Sequence, residues 1–293
     1  MNASGPSART ATLLVAGLCL VWGSTWVVIA EGLDSLPAFT SAAIRFAVAA
    51  IAMVFVVRAL AGREGGRAPP RGLVLSSGVL NFFGSYGAVY WSEQYLPSSL
   101  CSILYAVFTL LVAGFSRLLL PAVRISAKQV VGLVIGFAGV VLLFWTDVAA
   151  LGDVGGAAAL VFLISPLVSA LGTVLVKKYG AGVNSLRLNR DGMAVGALLL
   201  AACALIGERD ATIEWTPTAI ASIAYLALIG TVFTFGVYFW LLRTLPAHKL
   251  AVIPYVTPVV AVLLGVALRD EAVHASTLIG CATILVGVVL TAR

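Results

Sequence analysis

The sequence is poor in charge. Only 10% of its 293 residues are Asp, Glu, Lys or Arg, against roughly 25% in soluble domains, which excludes a solvated globular surface. Its two histidines, His248 and His274, stand near the ends of apolar runs in no metal-ligand spacing, so the expectation is no metal and no cofactor. No Gly-Lys dipeptide occurs, hence no Walker A loop and no nucleotide-driven motor in this chain. No acid falls in the middle of an apolar run. That weakens a membrane-buried proton relay and leaves Glu31 and Glu93, near run ends, as its fallback candidates. Cys19, Cys101, Cys203 and Cys281 lie one to a run without a Cys-x-x-Cys pair, and they read as small hydrophobes.

What is abundant is apolar length. Hydrophobic residues make up 61% of the chain and the mean hydropathy is +1.08. Ten apolar runs follow one another at 11–30, 38–60, 72–92, 98–120, 127–145, 155–176, 191–207, 217–242, 247–268 and 275–292. A hydrocarbon core about 30 Å thick needs about 20 apolar residues per helix, and the runs lack the alternation of barrel strands. They predict an all-α polytopic membrane protein with ten transmembrane helices. Arg9 followed by the first run resembles a signal peptide. That run is too long for one and no small-x-small site follows it, so it is read as a retained helix.

Basic residues set the expected orientation. Arg9, Arg58, Arg63, Arg67, Arg71, Arg117, Arg124, Lys128, Lys177, Lys178, Arg187, Arg190, Arg243, Lys249 and Arg293 belong to one set of run ends. Arg209 and Arg269 belong to the other, together with every acid except Glu64 and Asp191. The positive-inside rule then places both termini in the cytoplasm. The net charge of +6 reads as a topology signal and calls for no nucleic-acid partner.

The chain also repeats itself once. Shifted by 149 residues, Tyr86 to Leu111 meets Phe235 to Val260: Gly87 falls on Gly236, Trp91 on Trp240, Leu96 on Leu245 and Pro97 on Pro246. The basic loop 58–71 falls on the mostly acidic 208–214. Five runs per copy is an odd number, so the copies enter the membrane from opposite sides. The expectation is two inverted five-helix repeats, 11–145 and 153–292. Such repeats are a hallmark of secondary transporters, with the site between the halves.

Trp22-Gly23-Ser24, Arg45-Phe46, Leu96-Pro97, the segment Pro254 to Pro258, Glu271, Gly280 and Gly287 carry a resemblance over nearly the whole chain. In their order, spacing and duplication they resemble the drug/metabolite transporter superfamily, specifically ten-helix EamA-type exporters. The resemblance implies a central cavity with helices 1, 3 and 4 facing 6, 8 and 9, and helices 5 and 10 at the periphery. The first half departs from the pattern, with Phe108-Thr109 opposite Thr257-Pro258 and Ala122 opposite Glu271.

The candidate substrate pathway is Trp22, Ser24, Arg45, Asn81, Ser85, Tyr86, Tyr90, Ser102, Tyr105, Tyr238, Tyr255 and Thr257. Arg45 stands about seven residues into its run, where a charge points into the bundle or snorkels to the outer interface near Glu31 or Asp34. Trp22 is too deep for an interfacial belt, and Asn81 is too polar to face lipid. For each aromatic and hydroxyl residue, core packing is the alternative to ligand contact. Pro166, Pro254 and Pro258 each remove a helical hydrogen bond and are candidate hinges. With two prolines, helix 9 is expected to bend, whereas helix 4 should be straighter. Pairs of glycines four apart, Gly132/Gly136 and Gly192/Gly196, should bring helix backbones together.

The reading is a secondary transporter of the bacterial inner membrane that exports a small organic solute, such as an amino acid or related metabolite, by alternating access. Its partners are that solute and the lipid bilayer. An exporter of drugs or other amphipathic compounds, or a non-transporting structural or regulatory membrane protein, is the alternative. An intramembrane enzyme lacks the His and acid clusters it would need. The sequence leaves the oligomeric state open, a monomer included. The loops 61–71, 121–127, 179–189 and 243–247 are expected on the cytoplasmic side. A single cysteine at position 65 should therefore resist an impermeant reagent applied to spheroplasts, and its modification from outside would refute this topology.

Overall fold

The computed structural model describes residues 7–120, 126–244 and 253–292. Its regular elements are all helical. They are α1 (Ala8–Leu33), α2 (Ala38–Glu64), α3 (Arg71–Ser92), α4 (Ser98–Leu119), α5 (Ala127–Val148), α6 (Gly152–Tyr179) and α7 (Ser185–Gly207). There follow α8 (the consecutive segments Pro217–Ala224, Tyr225–Phe233 and Thr234–Thr244), α9 (Ile253–Arg269) and α10 (Ala275–Ala292). Among the described residues eight helices are long and apolar enough to cross a membrane, and Val256–Arg269 and Ala275–Leu290 form two shorter apolar helices. Large side chains such as Leu13, Ile51, Phe55, Val134, Trp145 and Leu198 point outward. In water this surface would be a large apolar patch; against acyl chains it is the favourable one. The chain is an integral membrane protein.

Several helices outrun their apolar runs. α7 starts at Ser185 rather than 191, because its first turn is capped instead of hydrophobic. The Asn184 side chain accepts the Arg187 N–H at 3.0 Å, and the Glu64 carboxylate accepts the N–H groups of Ser185 and Leu186 at 3.0 and 3.1 Å. Three of the four orphan donors of the helix start are thereby satisfied. The favour is returned at the opposite end of the pair. Glu208, at the C-terminus of α7, accepts the N–H groups of Phe39 and Thr40, each at 2.7 Å, at the start of α2. α2 and α7 thus lie antiparallel, each capping the other.

The glycine pairs do bring backbones together. A Cβ added at Gly287 of α10 would fall on the backbone of Gly136 in α5, and one at Gly139 would lie 2.9 Å from the Ile284 nitrogen. On α7, Gly192 and Gly196 receive Phe82 of α3, with a Gly192 Cβ 3.0 Å from its ring. Gly23 of α1 lies under Val260 of α9, whose Cβ would be 2.5 Å from an added methyl. With no hydrophobic drive between helices in lipid, such close packing is what holds the bundle.

Four helices depart from the regularity expected of them. α3 and α8 contain π-helical segments, Gly78–Gly84 and Tyr225–Phe233, at places that the 149-residue shift superposes. A third, Phe144–Val148, ends α5. α4, expected to be straighter for want of proline, is interrupted at Ala106 between Ser98–Tyr105 and Val107–Leu119. There the Ala106 N–H donates to Ile103 O at 3.1 Å, and Thr109 N–H to Ala106 O at 3.3 Å. Such i to i−3 bonds tighten the turn and align side chains three apart, and the rings of Tyr105 and Phe108 stack at 5.6 Å and 11°. α9 runs as one α-helix from Ile253 to Arg269 despite Pro258 inside it. Residues 121–125 and 245–252, with Ala122 and the expected start of helix 9 at 247, lie outside the described residues. So do the side chains of Pro254 and Tyr255.

Gly287→Val would drive a branched side chain into the Gly136 backbone, an overpacking that costs about 1–3 kcal/mol. It should lower the thermal midpoint of the detergent-purified protein, whereas Gly156→Ala, with open space at its Cβ, should not.

Candidate functional site

A seam of polar and aromatic contacts joins the two halves of the chain inside the bundle. At its centre is Arg45 of α2, only 1% exposed. Its Nη1 donates to Tyr90 Oη of α3 and its Nη2 to Thr231 Oγ1 of α8, both at 3.2 Å. The guanidinium carbon lies 5.2 Å from the Phe46 ring centroid and 4.9 Å from that of Tyr86, placing the cation over aromatic faces. Its Nε has no hydrogen-bond partner. Snorkelling is therefore excluded, and Glu31 and Asp34 pair instead with Arg269, each at 2.8 Å. The π-helix of α8 is what brings Thr231 to the arginine. Its hydroxyl donates to Leu226 O, five residues back, at 2.7 Å and keeps a lone pair for Nη2.

Further pairs run along the same seam. Ser24 Oγ of α1 donates to Val21 O at 2.8 Å, so the Tyr225 hydroxyl of α8, 2.7 Å away, donates to it. Ser85 of α3 and Ser165 of α6 share a hydrogen bond of 2.9 Å. The Tyr105 hydroxyl of α4 donates to Ser169 of α6 at 3.3 Å. Aromatic contacts complete the wall. Trp22 meets Tyr238 at 5.4 Å and Phe235 at 5.9 Å, and Trp26 meets Tyr105 at 5.4 Å and Phe162 at 6.0 Å.

Eight of the twelve candidate pathway residues fall on this seam: Trp22, Ser24, Arg45, Ser85, Tyr86, Tyr90, Tyr105 and Tyr238. Asn81 sits beside it. Its side chain packs on Gly172 of α6 and donates to Ser77 at 3.3 Å, while its Oδ1 is buried without a partner. Ser102 and Thr257 are not joined to it by a side-chain bond, since each hydroxyl turns back to its own helix, on Ser99 O and Ile253 O, both at 2.7 Å. Tyr255 lies outside the described side chains, as does Pro254. Pro166 and Pro258 are buried within their helices, Pro166 directly after the Ser165 that meets Ser85. Missed by sequence reasoning were Thr231, Tyr225, Ser165, Ser169 and Phe162. Isolated hydroxyl and aromatic residues in apolar runs carry no signal of a partner, and the π-helical register that aims Thr231 leaves no mark in hydropathy.

A clasp closes one end of the seam. At the C-terminus of α9 Asp270 adopts a left-handed φ of 51°, a conformation aspartate tolerates better than most residues. The next N–H, of Glu271, returns to Gly265 O, six residues back, at 3.2 Å. Gly265 leaves room for the carboxylate, since a Cβ there would be 2.5 Å from Glu271 Oε2. So placed, Glu271 crosses to α4 and accepts the N–H and Oγ of Ser98, both at 2.7 Å, and the N–H of Ser99 at 2.9 Å. Arg269 meanwhile holds the end of α1. Beside them an open cavity of about 290 Å³ is bordered by Glu93, Leu96, Ser98 and Glu271. Glu271→Ala would remove the cap of α4, worth about 0.5–2 kcal/mol, and should lower the thermal midpoint. Glu271→Gln, which still accepts one N–H, should lower it less.

The comparisons with known proteins agree with this architecture. The model of the EamA-like transporter family matches residues 9–145 and again 156–293. The chain is 29% identical over 279 residues to an uncharacterized inner membrane transporter of Escherichia coli K12, YedA, covering 93% of this chain and 87% of that one. To the uncharacterized transporter YvbV of Bacillus subtilis it is 28% identical over 289 residues, covering 97% and 92%. Protein PecM of Dickeya dadantii is 26% identical over 89% of this chain and 84% of its own. A solved crystal structure with 18% identity superposes over 97% of this chain and 96% of its own with a TM-score of 0.68, a likeness of fold. With both halves matched, the chain belongs to the EamA-like transporter family, whose members are transporters and not enzymes.

Proposed function

We propose that this protein is a secondary active transporter of the bacterial inner membrane, exporting a small organic solute such as an amino acid or related metabolite by alternating access. In this reading ten helices cross the membrane as two inverted repeats, 11–145 and 153–292, with both termini in the cytoplasm. The observation that carries it is the composition of the seam. Arg45–Thr231, Ser24–Tyr225, Ser85–Ser165 and Tyr105–Ser169 each pair a residue of the first half with one of the second. Polar groups in hydrocarbon are retained where they line a pathway or pair across helices. Hydroxyl pairs of this kind exchange readily for a solute or for water, which makes the seam suited to opening. The only charge among these pairs is the arginine's, which suits a solute carrying a carboxylate.

In the same reading the Glu271 clasp is the closed outer gate. α4 and α9 change shape as access alternates, with the turn at Ala106 as the hinge of one and Pro254 and Pro258 that of the other. Pro166 would serve α6 in the same way. A second reading, an exporter of amphipathic compounds, draws on Trp22, Trp26, Tyr86 and Tyr105 along the seam. A counterflow screen in proteoliposomes across amino acids and amphipathic cations separates the two.

Arg45→Ala should leave the protein inserted yet lower counterflow of the transported solute at least tenfold. Arg45→Lys should be intermediate, because lysine keeps the charge and loses the planar fork. Full flux in the alanine variant at equal expression would show that the arginine is structural only.

A further inference from the structure

Glu93, which follows the last residue of α3, is the one carboxylate among the described residues with both oxygens buried and without a hydrogen-bond partner. It is 5% exposed, and the Ser92 hydroxyl beside it is likewise buried and unpaired. The two arginines nearest it, and the α4 serines that face it, make their hydrogen bonds elsewhere. Arg45 of α2 donates to Tyr90 and Thr231. Arg269 of α9 donates to Glu31 and Asp34 at the end of α1. Ser98 and Ser99 of α4 donate to Glu271. The remaining titratable neighbours, Glu271 of α9, Tyr90 of α3 and Cys101 of α4, bring no positive charge. Two arginines thus stand among four acids.

An ionised carboxylate buried without donors is expensive, and such a group neutralises instead. Burial pushes the Glu93 carboxyl well above the ordinary carboxylate range. The Glu271 carboxylate raises it further, and Arg45 and Arg269 offset part of the rise. The open cavity that Glu93 borders offers water a route to the site, but the carboxyl oxygens themselves are covered. A solute has no access to them. A proton, delivered by water on a small opening, does.

We propose that Glu93 is a proton-binding site of the outer gate, protonated while Glu271 clasps α4 and deprotonated to the outer water when the clasp opens. The step is one proton moved between a carboxyl oxygen and water, with no other reactant. The sign follows from linkage. A carboxyl whose affinity for the proton is higher in the closed state favours closure at low pH, and that bias is lost as pH rises through its closed-state value. Between the open-state and closed-state values the ratio of closed to open protein should fall by up to about tenfold per pH unit. The opening and closing in this proposal rest on the alternating-access reading; the protonation of the closed form does not.

Infrared difference spectroscopy on the purified protein tests the protonation without any solute. The expected result is a protonated-carboxyl carbonyl band that persists above the pH at which ordinary glutamates ionise, about 4.3. Glu93→Gln should abolish the band, and Glu271→Gln should shift its midpoint to lower pH. If Glu93→Gln fails to fold, Glu93→Asp should keep a band with a displaced midpoint. Absence of the band, its survival in Glu93→Gln, or titration in the ordinary range would overturn the proposal. The linkage is read from Ser102→Cys in a cysteine-free background, labelled from outside with an impermeant maleimide and referred to a Gln94→Cys control. Labelling should rise with pH in the presence of Glu93 and stay low and flat with Glu93→Gln. Equal pH dependence in both would overturn the coupling. A protein that shows the band but moves no solute in the counterflow screen would sink the carrier reading and leave the proton site standing; solute exchange without the band would do the reverse.

Discussion

Hydrocarbon offers no hydrogen bonds, so every polar group this chain buries must find its partner within the protein. That constraint organises the structure at two scales. At the helix ends it is met by carboxylates that cross from one helix to cap another: Glu64 on α7, Glu208 on α2 and Glu271 on α4. In the interior it is met by pairs of hydroxyls and by Arg45, whose charge is shared among Tyr90, Thr231 and the faces of Phe46 and Tyr86. Because the helices cannot rely on a hydrophobic drive to associate, these contacts and the glycine packing of α5 on α10 and α3 on α7 carry much of the association.

The clasps are not equivalent. Those between α2 and α7 are reciprocal and join one helix of each half into an antiparallel pair, which suits a rigid frame. The Glu271 clasp joins α9 to α4 and has a neighbour, Glu93, that is left unsatisfied by the arrangement. At the position that the repeat pairs with Glu271 the sequence has Ala122, which carries no carboxylate with which to cap the opposite helix. The repeats therefore share a plan but differ at this helix cap. The π-helical turns of α3 and α8 and the tight turn of α4 lie in helices that supply seam residues, but the regular helices α1, α2 and α6 supply them too. A wide turn redirects a side chain without moving the helix, which is how Thr231 reaches an arginine on a different helix.

Sequence reasoning reached the seam mostly from one side, Tyr238 being the one candidate of the second half that falls on it. Arg45, Tyr86 and Tyr90 stood out because charge and repeated aromatic hydroxyls are rare in apolar runs. Thr231 and Ser165 did not, since a lone hydroxyl residue in such a run is compatible with bonding its own backbone, as Ser102 and Thr257 in fact do. The start of α7 was obscured for a related reason: its first turn is stabilised by Asn184 and by a carboxylate 121 residues away, and neither leaves a hydrophobic trace. The turn at Ala106 interrupts a helix that has no proline within it, and its i to i−3 bonds leave no mark in the residue types.

By itself the sequence determined that the chain spans a membrane as a helical bundle and is built from one unit used twice. Both follow from terms that sum along the chain, the apolar length that a bilayer demands and the recurrence of residues at a constant shift. Only the tertiary structure decided which polar groups meet. It placed Arg45 between Tyr90 and Thr231, sent Arg269 to Glu31 and Asp34, and left Glu93 with nothing. Hydrogen bonds and charge pairing depend on angstrom-scale distances between helices distant in sequence, and no property read along a single helix contains them.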